Sequence, residues 1–448
     1  MATTDLTRTP SSGGNRKIWT FSAWLKRAVK SDTNNSRIFS AGDAQTDYTT
    51  WFMGAVDGTD GRLFFQNRVS NTTTELASSR QFRDANGWYH LVIACDTTQA
   101  TDSNRVKIYV NGVQETLTGA YPAQDVNTFV NHTVEHNIGS ADGAGYTPRY
   151  WAGSMSHVHL VDGLALAPTV FGHTDSTTGE WKIKASPNYT VGTNGFFILK
   201  DGNSVTDQST NTNNFTVSGG TLTKTEDNPS NVFCTMNSLV DQGGFSFTQG
   251  NNTVTWSTDN KSTSGTLGMV TGKYYWEMKY SNATGGSNAM IGVGSNNFNH
   301  NTYVGATAGG WSYYAQGGTT YNANSYLSYG SGWTAGDIIG VAFDANSRTI
   351  WFSKNGTWQD SATISEIAAG TTTNSAYTNM GSAGDTFFPV ISAYNGNVCQ
   401  FNFGNGYFGT TEITTNTGTG FQDADSNGRF YYTVPTGFRC VSTKGLNQ

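Results

Sequence analysis

Residues 332–358 read GWTAGDIIGVAFDANSRTIWFSKNGTW. Gly336-Asp337 turns the chain into IIGVAF, an apolar run whose length and branching suit a buried strand. Residues 344–347, DANS, are turn formers, and TIWFS returns as the paired strand. Asn355-Gly356 then accepts the positive φ angles of a tight hairpin turn. Residues 106–114, VKIYVNGVQ, repeat the arrangement: alternating strand residues meet Asn111-Gly112, so one face of that hairpin belongs to a core. Both stretches predict antiparallel β structure.

The composition agrees. Of 448 residues 13% are charged and 53 are glycine, whereas ordinary soluble chains carry about 25% charged residues. Long helices and coiled coils need far more Glu, Lys and Arg. Disorder is excluded by 12 Trp, 21 Tyr and 25 Phe, which offer ample surface to bury. The net charge of −6 comes with scattered basic residues, so there is no footprint for a nucleic-acid backbone. Cys95, Cys234, Cys399 and Cys440 show no metal-ligand spacing, and Cys95 and Cys399 read as small buried strand residues. The start, MATTDLTRTPSSGGNRK, has no apolar signal core, and no run of about 18 apolar residues follows. A soluble chain made in a cytoplasm, without membrane insertion, is expected. The sequons at Asn71, Asn188, Asn214 and Asn282 then reflect Asn- and Thr-rich composition rather than glycosylation.

Short runs rich in branched and aromatic residues recur in the first part of the chain, among them 19–25, 37–40, 62–65, 88–94, 106–110 and 156–161, at intervals typical of a sandwich. In order along residues 16–170, IWTFSAWLKR, GWYHLVIACDTT, VKIYVNGVQ, HNIGSADG and RYWAGSMSHVHLVDGLAL resemble the laminin-G-like or concanavalin A-like jelly-roll family. That resemblance implies two packed antiparallel sheets whose ligands meet rim loops or the concave face. Further along, GKYYWEMKY, IGVG, GWSYYAQGG, the opening stretch and FFPVISAYNGNVCQFNFG together resemble the SPRY family of β sandwiches. It implies a protein-interaction module and no reaction. The polar stretch between them, with GTNGFFILKDGNS, NNFTV and DNPSNVF, looks like a connector of bacteriophage virion proteins. The expected class is therefore all-β, two antiparallel β-sandwich domains, a concanavalin A-like jelly roll plus a SPRY-like sandwich. The expected organisation is an N-terminal arm over 1–17, the jelly roll over 18–170 and a polar connector packed on the sandwiches over 171–242. A SPRY-like domain over 243–410 and a C-terminal β extension over 411–448 complete it.

Chemical constellations are sparse. Glucan hydrolysis on jelly rolls needs two carboxylates from one strand, spaced like Glu-x-Asp-x-x-Glu, whereas Glu75, Glu115, Glu135, Glu180 and Glu226 stand singly. Glu277 lies on a strand and reads as structural. No nucleophile motif occurs. His157 and His159 are two apart on a strand and His132 and His136 four apart in a loop, and local hydrogen bonds account for such pairs more simply than zinc. Asp423, Asp425 and Asn427, followed by Gly428, repeat the first half of a calcium loop, but position twelve is Val434. They are the candidate calcium ligands beside a plain Asp/Asn/Gly turn, with AVDGTDG (Asp57, Asp60) a weaker second; no other cofactor is expected.

Binding has more to show. Trp311, Tyr313, Tyr314, Tyr321, Tyr326, Tyr329 and Trp333 sit among Gly, Ser and Asn, a composition that gives rigid aromatic contacts and adaptable hydrogen bonds. About half should be core residues. Tyr48, Trp51, Tyr146, Tyr150 and Trp151 are the jelly-roll equivalents. The expected function is a non-enzymatic phage virion surface protein, in a tail fibre, tail appendage or capsid fibre, that attaches to host surface glycan or protein through sandwich loops. Its expected partners are other virion proteins and copies of itself as a homo-oligomer, with no nucleic acid; its expected location is the virion. A capsid decoration protein, a polysaccharide-degrading enzyme and a cellular SPRY adaptor are the alternatives.

Overall fold

The computed structural model describes residues 4–28, 36–54, 61–84, 87–141, 149–200, 204–240, 243–414 and 421–446. The chain divides into two compact units, Met1–Lys224 and Thr225–Gln448.

In the first unit, alternation builds one core between two sheets. Trp19, Phe21, Ala23 and Leu25 point inward from Ile18–Arg27, and Trp51 and Met53 from Asp47–Met53. The Trp51 ring stacks on Phe39 with centroids 4.2 Å apart and on Trp19 at 5.6 Å. One sheet has six strands, in the order Phe196–Ile198, Gly153–Asp162, Ile18–Arg27, Trp88–Asp96, Val106–Val110 and Val113–Gln114. The other has eight: Leu117–Gly119, Thr72–Gln81, Arg62–Val69, Asp47–Met53, Ser36–Ala44, His136–Ile138, Asp5–Arg8 and Thr216–Ser218. All these pairings are antiparallel. Asn111 and Gly112 take φ angles of 50° and 79°, the turn read from the sequence.

The ends of this unit depart from expectation. Residues 1–17 are not simply an arm: Asp5–Arg8 lies between two strands of the eight-stranded sheet and Leu6 joins the core. Four residues with one buried apolar side chain are too short for a periodic signal. The connector is shared between the units. Its first part gives an edge strand to each sheet of the first unit, Phe196–Ile198 and Thr216–Ser218, and covers the outer face of the six-stranded sheet.

The second unit repeats the plan. One sheet runs Phe245–Thr248, Thr253–Trp256, Asn397–Asn402, Lys273–Ala283, Ile338–Asp344, Thr349–Lys354 and Thr357–Trp358, with Arg439–Cys440 pairing parallel to Tyr274–Tyr275. The other runs Lys261–Ser264, Phe387–Ala393, Met290–Ser295, Gly310–Tyr314, Thr319–Asn322 and Ser325–Ser328. Trp276, Ile291, Tyr313, Trp333, Val341, Phe343 and Phe401 are among the residues filling the space between them. Asp344 Oδ1 accepts from the amides of Asn346 (3.0 Å) and Ser347 (3.3 Å), which bends the chain back, and Asn355-Gly356 has φ angles of 49° and 80°. The segment expected as a β extension supplies the two-residue strands Thr411–Glu412 and Arg439–Cys440 and a short helix, Thr443–Leu446; its remaining described residues are irregular.

Candidate functional site

Strand alternation sorts the aromatic cluster of the second unit by face. Trp311 and Tyr313 point inward, Trp311 against Phe387 at 5.8 Å and Tyr313 over Phe352 at 5.3 Å. Trp333 packs edge-on to Tyr280 at 5.4 Å, and Tyr329 accepts a hydrogen bond from the Phe352 amide (3.2 Å). These four are core, and burial raises the pKa of Tyr313 and Tyr329. Tyr314, Tyr321 and Tyr326 point the other way. Tyr321 and Tyr326 are direct cross-strand partners and stack at 5.4 Å, with Tyr314 edge-on to Tyr321 at 5.5 Å. Sequence reading missed a fourth member, Tyr303, which reaches Tyr321 at 6.5 Å from the connection that crosses this face. Its one signal was its place in the Asn-rich run NNFNHNTY.

Amides set these rings. Tyr303 Oη donates to Asn324 Oδ1 (2.6 Å), and Tyr314 Oη lies 2.8 Å from Asn288 Oδ1 and 2.9 Å from Gln316 Oε1. Phe298, Val304, Met290 and Val390 form the apolar floor beside them. Tyr326 is 64% exposed, so the group forms an open terrace rather than a pocket.

The first unit offers less. Trp51 is wholly core and Trp151 is buried with it. Tyr48 lies on the outer face of the eight-stranded sheet and, with Arg37, Ser40, Thr50 and Asn137, lines a shallow depression. The Arg37 guanidinium stacks on Phe52 at 3.9 Å. Tyr150 is half-buried at the start of Gly153–Asp162's approach, and Tyr146, like Asp57 and Asp60, falls outside the described residues.

The titratable clusters do structural work. His136 places Nδ1 2.8 Å from the Val134 carbonyl and accepts the Asn131 amide on Nε2 at 3.0 Å, leaving no lone pair for a metal; burial lowers its pKa to about 4. His159 is stacked on Phe197 at 3.9 Å with Nδ1 2.5 Å from Tyr189 Oη, while His157 sits at a bulge with φ 50°. The Asp/Asn/Gly turn that carries the candidate calcium ligands is closed on itself. Asp423 Oδ1 accepts from the amides of Asn427 (2.6 Å) and Gly428 (2.9 Å), Oδ2 accepts from Cys440 (3.0 Å), and Asp425 pairs with Arg439 at 2.7 Å. Asp423 thus spends both oxygens on backbone amides, and Asp425 Oδ2 faces a guanidinium. Among the described residues no group of three or more His, Cys, Asp or Glu is placed to hold a metal ion.

Among the described residues Glu277 is the one acid with no exposed surface. Its oxygens accept from Tyr275 Oη (3.1 Å), Asn402 Nδ2 (3.1 Å) and the amides of Tyr431 and Tyr432 (both 2.8 Å). Burial pushes its pKa up to about 7, against the pull of those four donors.

Residues 2–171 match the concanavalin A-like lectin/glucanases superfamily, and residues 273–406 match the SPRY domain. The chain therefore carries a concanavalin A-like domain and a SPRY domain. Lectin-like and SPRY sandwich domains suggest binding modules. Among solved structures the chain is similar to the SPRY domain of human HERC1, at 22% identity over 34% of this chain and 87% of that one, TM-score 0.27. It is also similar to a human SPRY domain (16% identity, 36% and 96% covered, TM-score 0.28) and to the TRIM65 PSpry domain (13% identity, 38% and 91% covered, TM-score 0.30). No curated protein matches the chain. Among the described residues no helix is long and apolar enough to cross a membrane.

Proposed function

We propose that this chain is a non-enzymatic surface protein of a bacteriophage particle, carried on a tail fibre, tail appendage or capsid fibre, that attaches the particle to a glycan or protein of the host surface. The observation that carries the reading is the open terrace of Tyr303, Tyr314, Tyr321 and Tyr326 on the SPRY domain. Aromatic rings held by amides on an exposed sheet edge suit adhesion, and they stand on a domain of binding type. The phage-like connector supports the particle context. A non-catalytic role is supported by the engagement of the carboxylates: Glu277 and Asp423 hold backbone amides, Glu75 holds Gln66, and Glu115 holds Arg80. Other virion proteins and further copies of the chain are its partners in assembly, without nucleic acid and without membrane insertion. Repetition on a particle turns weak single contacts into strong attachment through effective concentration.

The test is antibody labelling of intact particles together with competition of particle adsorption by the purified chain. Labelling at fibres or tail, with adsorption reduced in proportion to added protein, is expected. Label spread over the capsid shell without competition would move the chain to a decoration role, and shortened host polysaccharide after incubation would make it an enzyme.

A further inference from the structure

Residues 280–336 contain no Asp, Glu, Lys or Arg. The rest of the chain is not so depleted: charged residues are 13% overall. This run builds Met290–Ser295, Gly310–Tyr314, Thr319–Asn322 and Ser325–Ser328, together with the connection crossing their outer face. Buried strands have no use for charge, but Ser325–Ser328 is an edge strand exposed at every residue, with Tyr326 64% and Leu327 73% exposed. Edges of this kind are ordinarily guarded by charged side chains that prevent stray pairing. Here a tyrosine, a leucine and two serines stand in their place.

The face is polar without being ionic. Tyr303 and Tyr314 spend their hydroxyls on Asn324, Asn288 and Gln316, which fixes the rings. The hydroxyls of Tyr321 and Tyr326 have no partner among the described residues. Tyr321 backs one side of the Tyr326 ring at an interplanar angle of 21°, leaving the other side to solvent.

We propose that this face binds a neutral glycan, with one sugar ring stacked on Tyr326 and its hydroxyls bonded by Tyr321, Gln316 and Asn324. The proposal rests on the attachment reading above and names the ligand class at one of its sites. A sugar ring is apolar on its C–H face and hydroxylated at its rim, which matches a flat aromatic platform edged by amides and phenols. An acidic polymer would find no cation on this run. A protein partner would find neither charges to steer it nor a desolvated anchor pocket.

The experiment uses the full chain and the variants Y326A, Y321A and L327A on an array of neutral hexose and N-acetylhexosamine oligomers beside uronic-acid polymers. Leu327 shares the edge strand but faces away from the terrace, so L327A reports any general damage to the hairpin. The wild type should be retained on at least one neutral oligomer, with affinity unchanged by about 0.5 M salt because no ion pair is made. Affinity should fall at least about tenfold in Y326A and Y321A and stay unchanged in L327A. No retention on any neutral oligomer, retention on uronates alone, salt-sensitive binding or wild-type affinity in Y326A would each overturn the site. Adsorption competition separates the two readings: equal blocking by wild type and Y326A removes the terrace and keeps attachment, and blocking by neither removes attachment while the array still decides the site.

Discussion

Both sandwiches cover the outer face of one sheet with chain from beyond the sandwich strands, and they do it with opposite chemistry. In the first unit the cover is 171–195. Trp181 donates its indole N–H to His90 Nδ1 (2.9 Å), Tyr189 meets His159, and Phe171 joins Val92 and Val161 in a second apolar layer. His90 Nε2 lies 2.9 Å from Ser22 Oγ. Since Nδ1 accepts, the ring is neutral and Nε2 carries the proton. In the second unit the cover is the tail, where Phe430, Val434 and Phe438 pack on Tyr275, Ala342 and Trp351 around the carboxylate of Glu277. One latch is built from buried bases, the other from a buried acid. The hairpins beneath are nevertheless alike. Asn111 exchanges hydrogen bonds with the His90 backbone (2.9 and 2.8 Å) as Asn355 does with that of Ile338 (both 2.8 Å). Each following glycine lies beneath an aromatic ring of the cover.

The largest effect should come from removing the acid. Glu277→Ala strands four donors in a site without water access, at a cost of about 3–5 kcal/mol. Limited proteolysis should then cut the tail within 421–446 before any site in the first unit, with the apparent melting temperature of the second unit lowered. Unchanged tail protection would mean that the apolar packing around Phe430 and Phe438 suffices and Glu277 is no latch.

A smaller effect is expected at the two glycines, and it tests whether the hairpins are equivalent. A Cβ at Gly112 would sit 2.5 Å from the Trp181 ring, and one at Gly356 2.6 Å from Tyr432 Cδ1, both at left-handed φ. Gly112→Ala and Gly356→Ala should each cost about 2 kcal/mol, part from backbone conformation and part from displacing the ring. Chemical denaturation of the two variants measures this. A loss in only one would show that its partner's cover can move aside without consequence.

The hairpins were legible because Asn-Gly states its own φ angles, and the cores because residues such as Phe21 and Val341 alternate with polar or small neighbours. Thr72–Gln81 was not legible: TTTELASSRQ has one large apolar residue, Leu76, and is recruited by pairing with Arg62–Val69. The connector was expected to pack on the sandwiches, but which residues it and the tail would meet was not legible, since the partners of Trp181 and Phe430 are distant along the chain. At the site, GWSYY shows that the adjacent rings Tyr313 and Tyr314 must face opposite ways, but both faces of this sheet take aromatics, so the sequence does not say which of the two is core. Tyr303 joins through a crossing connection that no local pattern foretells.

The opposite chemistry of the latches predicts opposite responses to pH, the mildest of the three effects and the most direct comparison of the units. Burial lowers the pKa of His90 from 6.5 to about 3 and holds His159, with His157 and Lys200 nearby, well below its usual value. The folded first unit therefore binds fewer protons than the unfolded chain, and the stability these neutral rings contribute is lost as pH falls below about 6.5. Glu277 is the reverse case. With its pKa raised from 4.5 to about 7, the folded second unit holds a proton that the unfolded chain releases, so that contribution is present below about 4.5 and is lost as pH rises towards 7. Between about pH 7 and pH 5.5 each of the buried His90, His136 and His159 should cost the first unit, and Glu277 should give the second, on the order of 1–2 kcal/mol. Pulse proteolysis in urea at the two pH values, with fragments assigned to each unit by mass, reads both changes in one sample. A shift of the same sign in both units would show that the histidines, the glutamate or both already exchange protons with solvent beneath their covers.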